Sequence, residues 1–203
     1  TGEQLFLIKG GRLARADTSP QGFVPVPVAP AATGVTQAAV EPDLSHAYVV
    51  RGGKTLERVP VGEGAAQPLL DGVEIGRPQY SRTRRVWVPV VGRAELRIWS
   101  DRGWQTVTAP GLPAGAVIRA IRLSPDAVRL AMVVATPDGQ TSLQLSTVVR
   151  NDGRVQLGPA SQITLDPDFR PMDVSWSMPA QLTVLGEARG YTHSFDMLGE
   201  AAL

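Results

Sequence analysis

Four stretches of this chain repeat one three-part pattern: a short apolar strand, a polar turn of Ser-Pro-Asp type, and a second apolar strand. They run from Val35 to Val50, Pro78 to Val88, Ala120 to Val134 and Asp173 to Leu185. The anchors just before the turns, Val40, Tyr80, Leu123 and Trp176, stand 40, 43 and 53 positions apart. A four-stranded propeller blade takes about 40–50 residues, so this period predicts an all-β radial array, a β-propeller of four-stranded antiparallel blades. A unit of that size cannot bury its own apolar face without neighbours. The 203 residues therefore read as one domain over 1–203.

Between the repeats, turn signals recur every eight to twelve residues or so, as a sheet of short strands requires. Lys9-Gly-Gly11 separates Leu5–Ile8 from Arg12–Ala16, and Arg51-Gly-Gly53 repeats the device before Thr55–Val59. Gly92-Arg93, Asp101-Arg-Gly103, Thr136-Pro-Asp-Gly139 and Asn151-Asp-Gly153 supply further turns. The 17 prolines and 21 glycines are spread so widely that few helical windows survive. Pro25-Val-Pro-Val-Ala-Pro30 reads as an outer edge strand or a connector, because proline cannot donate to a central ladder. About five units are visible, the first and last partial. Either they close as five blades with a strand shared between the termini, or further blades lie beyond Leu203.

Composition narrows the function classes. A net charge of +1 gives no global field to recruit nucleic acid or an anionic membrane. Absence of cysteine excludes a disulfide framework, a thiolate metal site and a cysteine nucleophile. No stretch approaches the ~20 apolar residues of a membrane span. The chain opens directly on a strand at Gln4–Ile8 instead of a leader. The expectation is an excised part of a longer protein whose targeting sequence lay upstream.

Candidate residues divide into structural and functional sets. Asp43 and Asp126 stand where other units have Thr83 and Pro179, so they read as turn-forming carboxylates and not as catalytic acids. Tyr80, Leu123 and Trp176 read as core fillers ahead of the turns. Trp87, Trp99 and Trp104 are less settled, and an exposed Trp104 would make a partner anchor. Arg82, Arg84 and Arg85 form the densest charge cluster, with Arg77 just before it, and suit an acidic protein face or a phosphate-like group. His46 and His193 are the only histidines and lie in no metal-ligand spacing. No nucleophile elbow, Walker loop or dinucleotide fingerprint occurs. No catalytic residue, cofactor or metal set is therefore expected; linear spacing cannot speak to paired carboxylates.

Leu5-Phe-Leu-Ile-Lys-Gly-Gly-Arg-Leu-Ala-Arg15, Tyr80-Ser-Arg-Thr-Arg-Arg-Val-Trp-Val88 and Arg119-Ala-Ile-Arg-Leu-Ser-Pro-Asp-Ala-Val-Arg-Leu-Ala-Met-Val133 resemble the C-terminal propeller-like domain of the actinobacterial LpqB lipoproteins. Ala127 departs from the glycine that often follows Ser-Pro-Asp. The resemblance implies an exported lipoprotein, anchored by a lipid-bearing cysteine to the outer face of the cytoplasmic membrane, with a GerMN-type domain ahead of the propeller. It implies as partner the extracellular domain of a sensor histidine kinase, that of the Mtr two-component system, and a role in cell-wall homeostasis and division. The lipid anchor is not part of this chain. The expected function is thus a non-catalytic interaction domain, not an enzyme, with Arg82, Arg84, Arg85 and Trp104 as partner-binding candidates. The alternative is a propeller enzyme or carbohydrate-binding module using a central funnel.

Overall fold

The computed structural model describes residues 5–19, 22–28, 32–178, 181–188 and 191–198, the side chains of 5, 17–19, 22–27, 178 and 191–198 excepted. Among the described residues there is no helix, and the strands form five sheets. The first holds β1 (Leu5–Lys9), β2 (Arg12–Ser19) and β3 (Gly22–Pro27). The second holds β4 (Val35–Val40), β5 (His46–Arg51), β6 (Thr55–Pro60) and β7 (Gln67–Leu70). The third holds β8 (Gln79–Ser81), β9 (Arg85–Pro89), β10 (Glu95–Ser100) and β11 (Gly103–Thr108). The fourth holds β12 (Val117–Leu123), β13 (Arg129–Ala135), the long β14 (Thr141–Asn151), β15 (Arg154–Leu157) and β16 (Ser161–Ile163). The fifth holds β17 (Phe169–Met178), β18 (Gln181–Ala188) and β19 (Tyr191–Leu198). The chain divides into two compact units, residues 1–80 and 81–203, with the division inside β8.

Period-2 alternation builds the cores. In the second unit, Leu130, Met132 and Val134 of β13 pack with Trp87, Leu96 and Ile98, while Ala131 and Val133 face Val174, Leu182 and Val184. The strand is buried on both faces, so its sequence reads as an unbroken apolar run. In the first unit, Leu13, Val28, Val35, Ala47, Val49 and Val59 form the core. Burial peaks on the second strand of each repeat, β5, β9 and β13, and the pre-turn anchors Tyr80, Leu123 and Trp176 are only half-buried. The expected core fillers thus pack at the core margins: Leu123 lies against one core and Trp176 against another, with the Trp176 Nε1–H donating to the Arg122 carbonyl at 3.0 Å.

The repeated turn is one backbone device with interchangeable side chains. The N–H of Leu44, Arg84, Ala127 and Gly139 donates to the carbonyl of Glu41, Ser81, Ser124 and Thr136, at 2.9, 2.9, 2.7 and 2.9 Å. The four donors have φ of 59°, 55°, 58° and 83°. Three of them are not glycine, and left-handed backbone costs such residues about 1–2 kcal/mol each. Side-chain bonds offset this. Asp43 accepts from the Ser45 N–H at 3.0 Å and its hydroxyl at 2.8 Å. Asp126 accepts from the Ser124 hydroxyl at 2.5 Å and the Val128 N–H at 3.2 Å. Where the aspartate is replaced, Thr83 bonds the Ser81 hydroxyl at 2.8 Å.

These bonds favour the ionised carboxylate. The Ser45 N–H holds Asp43, and the Ser124 hydroxyl holds Asp126, below the usual carboxylate range. A folded-state pKa below the unfolded value contributes stability above about 3.9, lost as pH falls through the depressed folded value. Ser124→Ala should therefore move the Asp126 titration upward, read by carboxyl-carbon NMR. An unmoved titration would remove this account of the turn.

The internal repeat also assigns the first sheet. Leu5-Phe-Leu-Ile-Lys-Gly-Gly-Arg aligns with Ala47-Tyr-Val-Val-Arg-Gly-Gly-Lys, so β1 corresponds to β5, a second strand. Both hairpins carry φ above zero at both glycines, 57° and 70° at Gly10-Gly11 and 55° and 71° at Gly52-Gly53, as a tight primed turn requires. Among the described residues, β1 pairs only with β2, and the position held by β4 in the second sheet has no counterpart. The proline-rich segment supplies β3, the outer edge strand of its sheet.

Candidate functional site

The β8–β9 turn carries the arginine cluster. Arg82 and Arg84 are exposed, while Arg85, first residue of β9, is half-buried. Its Nη2 donates to the Gly153 carbonyl at 3.1 Å, 68 positions away in sequence.

Gly153 lies at the tip of an elongated hairpin. The first part of β14 pairs with β13 on one side and β16 on the other. Beyond it, Val148–Asn151 continue and pair with β15. This extension lies on β11, because Val148, Val155 and Leu157 share the core of Trp87 and Ile98. Gln105 fixes the register as a strand partner would: its amide donates to the Val155 carbonyl at 2.5 Å and accepts from the Val155 N–H at 2.9 Å. Arg102, in the β10–β11 turn, donates to the Asp152 carbonyl at 3.0 Å. Arg150 donates to the Ala127 carbonyl. Gly153 suits this turn because its φ is 79°, and a Cβ there would push the Arg102 guanidinium aside.

Electrostatically, this end of the second unit is unbalanced. Among the described residues, none of Arg82, Arg84, Arg85, Arg102, Arg150 and Arg154 makes an ion pair with a carboxylate. Some other arginines are paired, Arg51 with Glu57, Arg97 with Glu95 and Arg122 with Asp173, each at 2.8 Å, whereas Arg93, Arg119 and Arg170 have no carboxylate partner among the described residues either. Burial, and then the charge of Arg85, push the Arg150 guanidinium below its usual range, with Asp126 opposing. The Arg150 Nε is buried and has no acceptor.

The tryptophans separate by strand face. Trp87 is fully buried at 0% exposure. Trp99 and Trp104 are half-buried and directly opposite each other on β10 and β11. Trp104 adjoins Gln105, so period 2 puts it on the sheet face away from the hairpin. The structure therefore brings Arg85 together with Arg102 and Arg150 but does not bring Trp104 into that group. Sequence reasoning missed Arg102, Arg150 and Gln105; the only signal for them was a fifth strand in the third repeat.

A second candidate lies within the first unit. A cleft of about 870 Å³ is lined by β1 (Phe6, Leu7, Ile8), β4, Glu41 and the Arg77–Tyr80 segment. On its wall, buried Glu41 accepts from the Tyr48 hydroxyl at 2.7 Å and shares the single Ser45 hydroxyl proton, at 2.9 Å, with Asp43, with Arg58 at 3.5 Å. His46 joins this network, its Nδ1 lying 3.0 Å from Arg58 Nη2, which is a structural role; the His193 side chain lies outside the described residues. Tyr48 stacks on Tyr80 at 5.6 Å, and burial pushes its hydroxyl pKa upward, helped by the bond to Glu41. Among the described residues, no group of three or more His, Asp or Glu side chains is placed to hold a metal.

Comparison with known proteins adds a sequence match to a family. The profile described as "Lipoprotein LpqB beta-propeller domain" matches residues 11–194. No curated relative matches the chain in sequence. Its fold is similar to that of YCF48 bound to D1 peptide, at 14% identity and TM-score 0.63, covering 94% of this chain and 59% of that one. The extracellular domain of a candidate one-component system from B. thetaiotaomicron gives 11% identity and TM-score 0.61, covering 97% and 26%. A candidate 6-phosphogluconolactonase from Bacteroides uniformis gives 12% and 0.56, covering 96% and 67%. The chain thus spans about two thirds or less of the length of these structures. At such identity they show the fold alone, and that fold is an all-β propeller.

Proposed function

Because the chain belongs to the LpqB lipoprotein β-propeller domain family, we propose that it is a non-catalytic docking domain of an envelope lipoprotein. The partner is the extracellular domain of the Mtr sensor histidine kinase, and the setting is the outer face of the cytoplasmic membrane. Docking there couples the lipoprotein to signalling in cell-wall homeostasis and division. The observation that carries the reading is the exposed Arg82–Arg84 turn beside an arginine-lined hairpin whose charges have no carboxylate ion-pair partner among the described residues. Rigid sheets bearing such a turn give a preformed surface, which lowers the entropic cost of association. A propeller bound to a peptide, and the extracellular domain of a one-component system, are folds of the same kind.

Calorimetric titration with the purified sensor extracellular domain tests this. Saturable binding is expected, and its absence with the full-length lipoprotein would reject the reading. Arg84→Gly separates binding from folding. Glycine relieves the left-handed backbone at φ 55°, so the variant should be equally stable or up to about 1 kcal/mol more stable. It should nonetheless bind the sensor domain less tightly. Lower thermal stability, or unchanged affinity, contradicts the role given to Arg84.

One observation favours a second reading, ligand binding in the first-unit cleft: the Gln37 Oε1 on its wall is buried without a hydrogen-bond donor. With the Gln37 side chain turned toward the cleft, a hydroxyl-rich sugar would supply one. Thermal shifts across a sugar panel, lost in Gln37→Leu, would move the function to the cleft.

A further inference from the structure

We propose that Arg85, Arg102 and Arg150, gathered around the Asn151–Gly153 turn, form a seat for a carboxylate on an acidic segment of a protein partner. This rests on the docking reading above and supplies the place and chemistry of the contact. Two of the three residues lie outside the arginine run that the sequence singles out.

The seat is built, not incidental. Arg85 and Arg102 are anchored on the carbonyls of two consecutive residues, Gly153 and Asp152, which brings guanidinium groups from two separate parts of the third sheet to one hairpin tip. Arg150 enters from the hairpin itself and is held on Ala127. Like charges collected in this way repel, and the carbonyl dipoles that hold them offset only part of the cost. Arg150 registers it: desolvation and then Arg85 outweigh the opposing charge of Asp126, and its Nε has no acceptor. An oxyanion placed among the three groups relieves repulsion and desolvation together.

The donors fit a carboxylate. A guanidinium carries five N–H groups in a planar fork, and one nitrogen each of Arg85 and Arg102 is occupied by its carbonyl. What remains suits a two-oxygen acceptor with about four lone-pair sites. Arg82 and Arg84 in the adjoining β8–β9 turn, and Arg154 at the start of β15, are exposed. A lipid surface is a poorer match. Attraction to anionic membranes grows with clustered flexible cations and overall charge, whereas the net charge is +1 and both lysines, Lys9 and Lys54, lie in the first unit. Fixed, short-range forks select a carboxylate presented at a defined point.

The test titrates fluorescent acetylated hexaglutamate into the full-length lipoprotein at low salt, with the sensor extracellular domain and phosphatidylglycerol vesicles in parallel. Saturable peptide binding is expected, weakened on the order of tenfold by Arg85→Gln and again by Arg150→Gln. Gly153→Ala keeps every arginine but displaces Arg102, and should weaken binding too, with circular dichroism confirming the fold. Peptide binding indifferent to all three substitutions overturns the seat, as does retention on vesicles without peptide binding. Sensor binding that survives Arg85→Gln/Arg150→Gln overturns the seat and leaves the docking reading standing. Arginine-dependent peptide binding with no sensor binding upholds the seat and removes that partner.

Discussion

Trp87→Ala is expected to lower stability by about 3–5 kcal/mol, the usual cost of truncating a fully buried aromatic. Trp87 sits on β9 opposite Ile98 and packs against Leu96, Ile98 and Met132, at 0% exposure. The same core holds the root of the β14–β15 hairpin through Val148 and Val155. A cavity there loosens the arginine site as well as the sheet. Domains of this size are stable by only about 5–15 kcal/mol, so the loss is a large share. Phenylalanine behaves differently. The Trp87 Nε1 is buried without an acceptor, and removing that N–H returns part of its desolvation cost, about 1–3 kcal/mol. Trp87→Phe should therefore cost well under half as much as Trp87→Ala in urea denaturation followed by circular dichroism. Equal losses would mean that the indole N–H is satisfied and that volume is not the deciding quantity.

Glu41→Leu is expected to cost about 3 kcal/mol, at the lower end for breaking a buried charged network. Glu41 is 6% exposed and serves both the Tyr48 and Ser45 hydroxyls, with Arg58 alongside. Leucine leaves the Tyr48 hydroxyl buried without its acceptor and Arg58 without its carboxylate. Arg58 is 30% exposed, so water takes up part of that loss. Glu41→Gln retains one carbonyl oxygen for Tyr48 and should cost about half as much. The stacked Tyr48–Tyr80 pair gives an independent readout, as near-ultraviolet dichroism should weaken in Glu41→Leu and persist in Glu41→Gln. A Glu41→Leu protein as stable as the parent would show that the network adds specificity but no stability.

The repeat was legible because its turn is written in residue types with direct backbone consequences. Proline presets φ and aspartate bonds back to the turn, so Pro42-Asp43 and Pro125-Asp126 announce themselves. The same turn at Ser81–Arg84 has neither residue, and its left-handed arginine was not readable. Propeller fold and family followed from that period and from three matching segments, and both are borne out. The tryptophans could not be ranked from sequence. Val86-Trp87-Val88 is buried on both faces and has no alternation to show which side chain points inward. The arginine site escaped for another reason. Arg85, Arg102 and Arg150 belong to three separate turns and strands, and they meet only because β14 overruns its sheet and Gln105 docks the extension. Linear spacing carries no trace of such a meeting; the Asn151-Asp-Gly153 turn marked the hairpin but not the surface on which it lies.

The most direct test of the docking account is hydrogen–deuterium exchange of the full-length lipoprotein, alone and with the sensor extracellular domain at saturation. The account predicts slowed exchange in residues 82–85, 101–105 and 150–155 together, because these segments form one site in the folded chain. Protection confined to the first-unit cleft, or to segments outside this propeller, would contradict it and place the partner elsewhere.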